Sequence, residues 1–105
     1  MEKFIVALVV ASSEEEAKKI ARVLVEKKLA ACVNIIKGVQ SVFRWEGKLA
    51  EENEVLLIIK TKSKQFKNVE DEVKKLHSYD VPEIIALPIV SGSKDYLFWV
   101  DSETW

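Results

Sequence analysis

The segment "EVLLIIKT", residues 54–61, decides the fold because it is a continuous apolar run rather than an alternating one. Such a run is typical of a strand that is buried on both faces of a sheet. Residues 3–11, "KFIVALVVA", form a second run of the same kind. We therefore expect these two segments to be the central strands of one sheet.

Each of these two strands is followed by a segment with helical periodicity. In "SSEEEAKKIARVLVEKK", residues 12–28, Ser13 and Glu16 have the spacing of a capping box. After the second apolar run, we expect Ser63 to cap another helix. One apolar stripe of that helix is formed by Phe66, Val69, Val73 and Leu76.

A long strand and a hairpin are predicted between the first helix and the second apolar run. Apolar and polar residues alternate over residues 29–45. The apolar residues Val33, Ile35, Val39, Phe43 and Trp45 all have odd numbers, so in a regular strand they would share one face. "WEGK", residues 45–48, predicts a turn in which Gly47 takes a positive φ. Both hairpin strands exceed the usual five or six residues. We expect the tip to project beyond the sheet.

The order β-α-β-β-α-β is that of the ferredoxin-like α+β sandwich, with antiparallel strand order 4-1-3-2. The fourth strand, "EIIALPIV" at residues 83–90, contains Pro88, which cannot donate to a ladder and therefore belongs at an edge. A short C-terminal helix follows in "SKDYLFWV", residues 93–100. Because the sequence shows no linker and no repeat, we interpret residues 1–105 as a single domain.

The composition excludes several classes of protein. Sixteen basic and seventeen acidic residues nearly cancel, so nothing indicates a nucleic-acid partner. A single cysteine cannot form an internal disulfide. The apolar start of the chain is too short for a membrane span and lacks the basic flank of a signal peptide. We expect a cytoplasmic protein that contacts no membrane.

Cys32 and His77 are the residues whose chemistry suits copper or zinc. Each also has an ordinary structural explanation, because a lone cysteine is often a core residue and a histidine at a helix end is often a cap or a packing residue. A cysteine–histidine nucleophilic pair is a further alternative.

The predicted topology separates these two residues within one subunit. Cys32 begins the second strand and Lys60 lies near the end of the third, so they are neighbours at one end of the sheet, whereas His77 lies at the other end. A site that uses all three would form between subunits. Trp45, Trp99 and Trp105 lie outside the predicted core, which favours an oligomer as well.

The loop "LHSYDVPEII", residues 76–85, has two separable roles. Asp80 and Pro82 are explained by the turn from helix to strand. His77, Tyr79 and Glu83 are explained better as the rim of a site between subunits.

Five ordered segments, "KLAACVNI", "FRWEGKL", "EVLLIIKT", "LHSYDVPEIIALPI" and "DYLFWV", resemble the CutA family of divalent-cation tolerance proteins. Ser78 departs from the proline that the family often has, and Arg44 departs from an aromatic residue. The resemblance implies a ferredoxin-like subunit, a homotrimer similar to PII signalling proteins, a cytoplasmic location and binding of divalent metals, chiefly Cu²⁺. The family's motif residues are matched here by Cys32, Trp45, Lys60, His77, Tyr79, Pro82, Glu83, Tyr96 and Trp99.

Our leading hypothesis is a trimeric, non-enzymatic protein that binds copper or a similar ion through Cys32, His77 and a carboxylate, Glu83 or Asp80. The alternative hypothesis is a PII-like sensor with an anionic ligand in an intersubunit cleft. That cleft would be lined by Trp45, Lys60, Tyr79, Tyr96 and Trp99. A third, enzymatic hypothesis has Cys32 as a nucleophile.

Overall fold

A computed structural model describes residues 3–105 and contains four strands and three α-helices. The elements are β1 (Phe4–Ala11), α1 (Glu14–Glu26), β2 (Cys32–Trp45), β3 (Lys48–Lys62), α2 (Phe66–Leu76), β4 (Ile84–Pro88) and α3 (Lys94–Ser102). A 3₁₀ turn, Ser63–Gln65, precedes α2. None of the helices in this part of the chain has the length and apolarity that crossing a membrane requires.

The four strands form one antiparallel sheet in the order β2-β3-β1-β4. This is the predicted ferredoxin-like order, and the two apolar runs occupy its centre. The edge position of β4 agrees with Pro88, which ends the strand; residues 89 and 90, which were predicted to continue it, lie outside it. The N–H of Ile89 still donates to the carbonyl of Phe4 at 3.0 Å, so Pro88, which has no N–H of its own, does not interrupt the pairing with β1.

Helices α1 and α2 cover one face of the sheet and enclose the core with it. The buried core residues of this layer are Ala7, Val9, Ala11, Ala17, Ile20, Ala21, Leu24, Ala30, Val55, Leu57, Ile59, Val69 and Val73. In β1 and β3 these are the odd-numbered residues, because successive side chains of a strand point to opposite faces. The even-numbered residues form the opposite face, which we call the open face.

A β-bulge in β2 corrects the predicted alternation of that strand. The register shifts between Ile36 and Val39, and Gly38 lies there with φ +73°. Before the bulge, Val33 and Ile35 pair with core residues of β3; after it, Val39 pairs with Glu54. The expectation that the odd-numbered side chains face the same way along the whole strand was wrong, because the inserted residue reverses the alternation beyond the bulge.

The hairpin turn is as predicted, with Gly47 at φ +78°. Glu46 also has a positive φ of 51°, so the turn is the two-residue type that matches the twist of a hairpin. The predicted cap of α2 was wrong: Ser63 begins the 3₁₀ turn and its hydroxyl donates to the carbonyl of Lys3. The cap of α1 is confirmed, because the Ser13 side chain accepts from the backbone N–H of Glu16.

Candidate functional site

His77 follows α2 directly, and both of its ring nitrogens are engaged within the protomer. Nε2 lies 2.7 Å from the carbonyl of Val10, and Nδ1 accepts the backbone N–H of Tyr79 at 3.0 Å. These partners require a neutral imidazole that carries its proton on Nε2. The side chain is fully buried. His77 therefore fastens the loop after α2 to the end of β1.

Glu16 fastens the same loop to the start of α1. Its carboxylate accepts from the N–H and the hydroxyl of Ser12 at 2.8 and 3.0 Å, and from the N–H of Ser78 at 2.7 Å. Burial alone would raise the pKa of Glu16, but these hydrogen bonds outweigh it and lower the pKa below its ordinary value. Ser78 supplies one of these donors through its backbone N–H.

Tyr79 extends from this loop across to β3. Its ring lies 4.9 Å from that of His77, and its hydroxyl donates to Oε2 of Glu54 at 2.8 Å. Burial, then the hydrogen bond and the charge of Glu54, raise the pKa of Tyr79 to about 12. The phenol is therefore protonated at neutral pH and acts as a donor.

A groove of about 790 Å³ lies between the β2–β3 hairpin and the loop of residues 78–83. It is lined by Val10, Ser41, Val42, Phe43, Trp45, Ala50, Glu52, Glu54, Ser78, Tyr79, Asp80, Val81 and Glu83. Four of these side chains are carboxylates and none is a lysine or an arginine. Three are aromatic. The groove is consequently a negatively charged site with aromatic walls.

A second group of predicted residues meets at the opposite end of the sheet. Lys60 is the cross-strand partner of Cys32; its Nζ lies 4.0 Å from Sγ and donates to the side chain of Asn34. Burial, and then the neighbouring Cys32 side chain, raise the pKa of Tyr96. The rings of Tyr96 and Trp99 are 5.6 Å apart.

The two groups are well separated within the protomer, as the topology predicted. Lys60 pairs with Val6 of β1, whereas His77 contacts Val10, four residues further along the same strand. At about 3.3 Å per residue, that is roughly 13 Å. Among residues 3–105, no three His, Cys, Asp or Glu side chains are close enough together to hold a metal ion.

The predicted cleft residues are divided in the same way. Trp45 and Tyr79 line the groove together with the candidate ligands Asp80 and Glu83, whereas Lys60, Tyr96 and Trp99 lie with Cys32. Within one protomer, Lys60 does not bring a positive charge to Trp45 and Tyr79. The anionic ligand of the alternative hypothesis would therefore require a cleft that a second subunit completes.

Glu52 and Glu54 are site residues that sequence reasoning missed. Both lie in the polar segment "EENE", residues 51–54, directly before the apolar run of β3. The signal was their even numbering, which places them on the same face as Leu56 and Ile58. Glu54 is only 5% exposed, although it begins the run as a charged residue.

The family model of the CutA1 divalent ion tolerance protein matches residues 5–103. The chain belongs to this family. A divalent-cation tolerance protein CutA from Thermus thermophilus is 48% identical over 94% of the chain and 96% of its own length. The solved structure of the Thermus protein superposes with a TM-score of 0.95, covering 97% of this chain and 99% of that one. CutA proteins are tolerance proteins rather than enzymes, in agreement with the prediction that the chain is not an enzyme.

Other CutA relatives differ in length and in compartment. The chloroplastic CutA of Arabidopsis thaliana is 48% identical over 95% of the chain, which spans only 55% of that relative. A structure described as the periplasmic CutA of Archaeoglobus fulgidus is 50% identical, with a TM-score of 0.91 and 98% of each chain covered. The cytoplasmic location expected from the sequence stays a prediction, because the compartment varies within the family.

Proposed function

We propose that the chain forms a homotrimer that binds Cu²⁺ or a similar divalent metal ion. The observation that supports the cation preference is the groove, which is lined by Asp80, Glu83, Glu52 and Glu54 and by no lysine or arginine. Carboxylate oxygens lower the electrostatic potential of such a cleft and concentrate cations in it. Copper adds a preference for thiolate and imidazole, which Cys32 and His77 supply.

The proposed metal site draws ligands from more than one protomer. Cys32 and His77 lie at opposite ends of the sheet, so a single chain cannot present both to one ion. His77 can coordinate only if it gives up Val10 or Tyr79, because each nitrogen already has a partner. Asp80 and Glu83 are exposed and need no such rearrangement.

Self-association is supported by the open face of the sheet. Val6, Leu8 and Val10 lie on this face, as do Ile85 and Leu87 of β4, which are 49% and 54% exposed. Apolar sheet faces are stable when another layer covers them. Beyond the sheet, the projecting hairpin exposes Trp45 and Leu49.

The metal-binding proposal is tested by calorimetric titration of Cu²⁺ into the wild type and into variants of the candidate ligands. We expect Cys32→Ser and a double Asp80→Asn/Glu83→Gln variant each to lower the affinity by about tenfold or more. His77→Ala is titrated in parallel, with circular dichroism as a check on its fold. An exposed carboxylate on α1, Glu15, provides the matched control Glu15→Gln. Unchanged affinity in all of the ligand variants would exclude these ligands.

The trimer is tested by sedimentation equilibrium, for which we expect three times the protomer mass of 12.0 kDa. Leu87→Lys places a charge on the open face and should yield monomers. Val25→Lys is the control, since Val25 is exposed and lies on α1, which covers the other face of the sheet. A wild type that sediments as a monomer contradicts the proposal.

A further inference from the structure

The open face of β3 changes from acidic to apolar to basic along the strand. Its even-numbered residues are, in order, two glutamates, a leucine, an isoleucine and two lysines: Glu52, Glu54, Leu56, Ile58, Lys60 and Lys62. The pairing of β3 with β1 has no register shift, so these side chains point to one face of the sheet. The strand therefore carries opposite charges at the two ends of an apolar strip.

Glu54, at the acidic end, is buried without a cationic partner in its own protomer. It is 5% exposed, and no lysine, arginine or histidine among residues 3–105 forms an ion pair with it. Its hydrogen-bond donor is the neutral hydroxyl of Tyr79. Burying a carboxylate is costly unless a counter-charge accompanies it. The apolar strip beside Glu54 is the surface that self-association covers, so the counter-charge is expected from a second protomer.

Lys60, at the basic end, has the complementary property. It is half-buried, and its Nζ donates to the neutral side chain of Asn34. No carboxylate in the part of the chain that the structure describes forms an ion pair with Lys60, whereas Lys62 already pairs with Asp101. Glu54 and Lys60 are roughly 20 Å apart along β3, at about 3.3 Å per residue. The two residues therefore cannot meet within one protomer.

We propose that neighbouring protomers meet head to tail on their open faces, with Glu54 of one protomer paired with the neighbouring protomer's Lys60. A contact between unlike ends is heterologous, and three such contacts close a ring in which every protomer uses both ends. This pairing rests on the proposed homotrimer and adds to it which residues meet. Cys32 is the cross-strand partner of Lys60, so the same contact brings the thiol of one protomer to the groove that Asp80 and Glu83 of the next protomer line.

The pairing is tested by zero-length cross-linking with a carbodiimide, which joins a carboxylate to an amine only when the two groups are in contact. Unlabelled and isotope-labelled full-length protein are mixed in denaturant, refolded together, cross-linked and digested. Mass spectrometry then identifies the linked peptides. We expect an amide bond between Glu54 and Lys60 that joins a light chain to a heavy one. Because a link within one chain never combines the two isotopes, such a mixed pair identifies a contact between protomers.

Glu72 and Lys27 provide the matched positive control. They form an ion pair within the protomer, and Glu72, at 8% exposed, is buried nearly as deeply as Glu54. Their link should form within single chains only. Lys64 is exposed and lies in the 3₁₀ turn outside the sheet, so it should form no link to Glu54.

Two variants of Lys60 separate its charge from its reactivity. Lys60→Arg keeps the positive charge but has no amine for the reagent, so it should remain a trimer and lose the link. Lys60→Glu places two carboxylates against each other and should weaken self-association by about tenfold or more in sedimentation equilibrium. Adding Glu54→Lys to Lys60→Glu restores opposite charges and should recover most of this loss.

The outcomes distinguish the pairing from the homotrimer on which it rests. A wild type that sediments as a monomer overturns both. A trimer in which the Glu72–Lys27 link forms, while Glu54 links to another lysine or to none, overturns the head-to-tail pairing alone. These results come from the wild-type sequence, so they decide the question even if Glu54→Lys impairs folding.

Discussion

Tyr79 and Glu54 are joined by a 2.8 Å hydrogen bond although 25 residues separate them in sequence. The bond connects the loop after α2 to the beginning of the buried part of β3. It also places an aromatic ring and a carboxylate side by side in the wall of the groove. This contact thus holds the loop against β3 and positions the Glu54 carboxylate in the groove wall.

Replacing Tyr79 with phenylalanine should destabilise the fold by about 1–3 kcal/mol, because it removes the donor to a buried carboxylate. The free energy of unfolding is measured by denaturant titration at a fixed protomer concentration. In a double-mutant cycle with Glu54→Gln, most of this loss should appear as coupling energy. Tyr96→Phe is the control, and additivity of the Tyr79 and Glu54 effects would contradict an interaction between them.

Alkaline pH should weaken the fold through the same phenol. Since the pKa of Tyr79 is raised from 10.0 to about 12, the folded protein holds this proton more tightly than the unfolded chain does. The resulting stability is complete below pH 10 and is lost as the pH rises towards about 12. Tyrosinate absorbance should show a late titration step that disappears in Tyr79→Phe. An unchanged titration curve in the variant would refute the assignment.

Much of the framework could be predicted because it depends on local patterns. Continuous apolar runs placed β1 and β3 in the centre of the sheet, and the missing N–H of Pro88 placed β4 at an edge. The bulge at Gly38 could not be predicted by counting alternate residues, because one inserted residue reverses every side chain beyond it. As a result, the face of the hairpin that lines the groove was not foreseen.

The site was harder to predict because its contacts are distant in sequence. His77, Tyr79 and Glu83 were recognised as an unusual loop, but the partner of His77, Val10, and that of Tyr79, Glu54, become visible only when the loop folds onto the sheet. Residue type identified His77 as a possible ligand. Its hydrogen bonds show that within the protomer both nitrogens already have partners.

Acidic pH should weaken the fold through Glu16. Its pKa is lowered because hydrogen bonds from Ser12 and Ser78 outweigh the effect of burial. The stability that it contributes is therefore complete above the ordinary glutamate pKa of 4.5 and is lost as the pH falls through the lowered value. Glu16→Gln should cost about 1 kcal/mol at neutral pH and should flatten the pH dependence of unfolding below 4.5.

Glu15→Gln is the matched control for this prediction, because Glu15 lies in the same first turn of α1 and is exposed. It should retain the acid sensitivity of the wild type. Equal acid sensitivity in Glu16→Gln and Glu15→Gln would show that the carboxylate of Glu16 does not stabilise the loop.

Lys62 should prove essential for holding the C-terminal segment on the sheet. Its side chain is 6% exposed, and Nζ donates to the carbonyls of Asp101, Thr104 and Trp105 at 3.0–3.2 Å. Lys62→Met has a similar length and removes every one of these donors. We expect a loss of at least about 3 kcal/mol in unfolding free energy, since a buried ammonium hydrogen-bonded on several sides is replaced and its acceptors remain.

Hydrogen exchange of the Trp105 N–H, which donates to Lys28, should accelerate as the segment detaches. Lys64→Met, at an exposed position, should change neither quantity. Protection of the Trp105 N–H that persists in Lys62→Met would show that other contacts hold the segment in place.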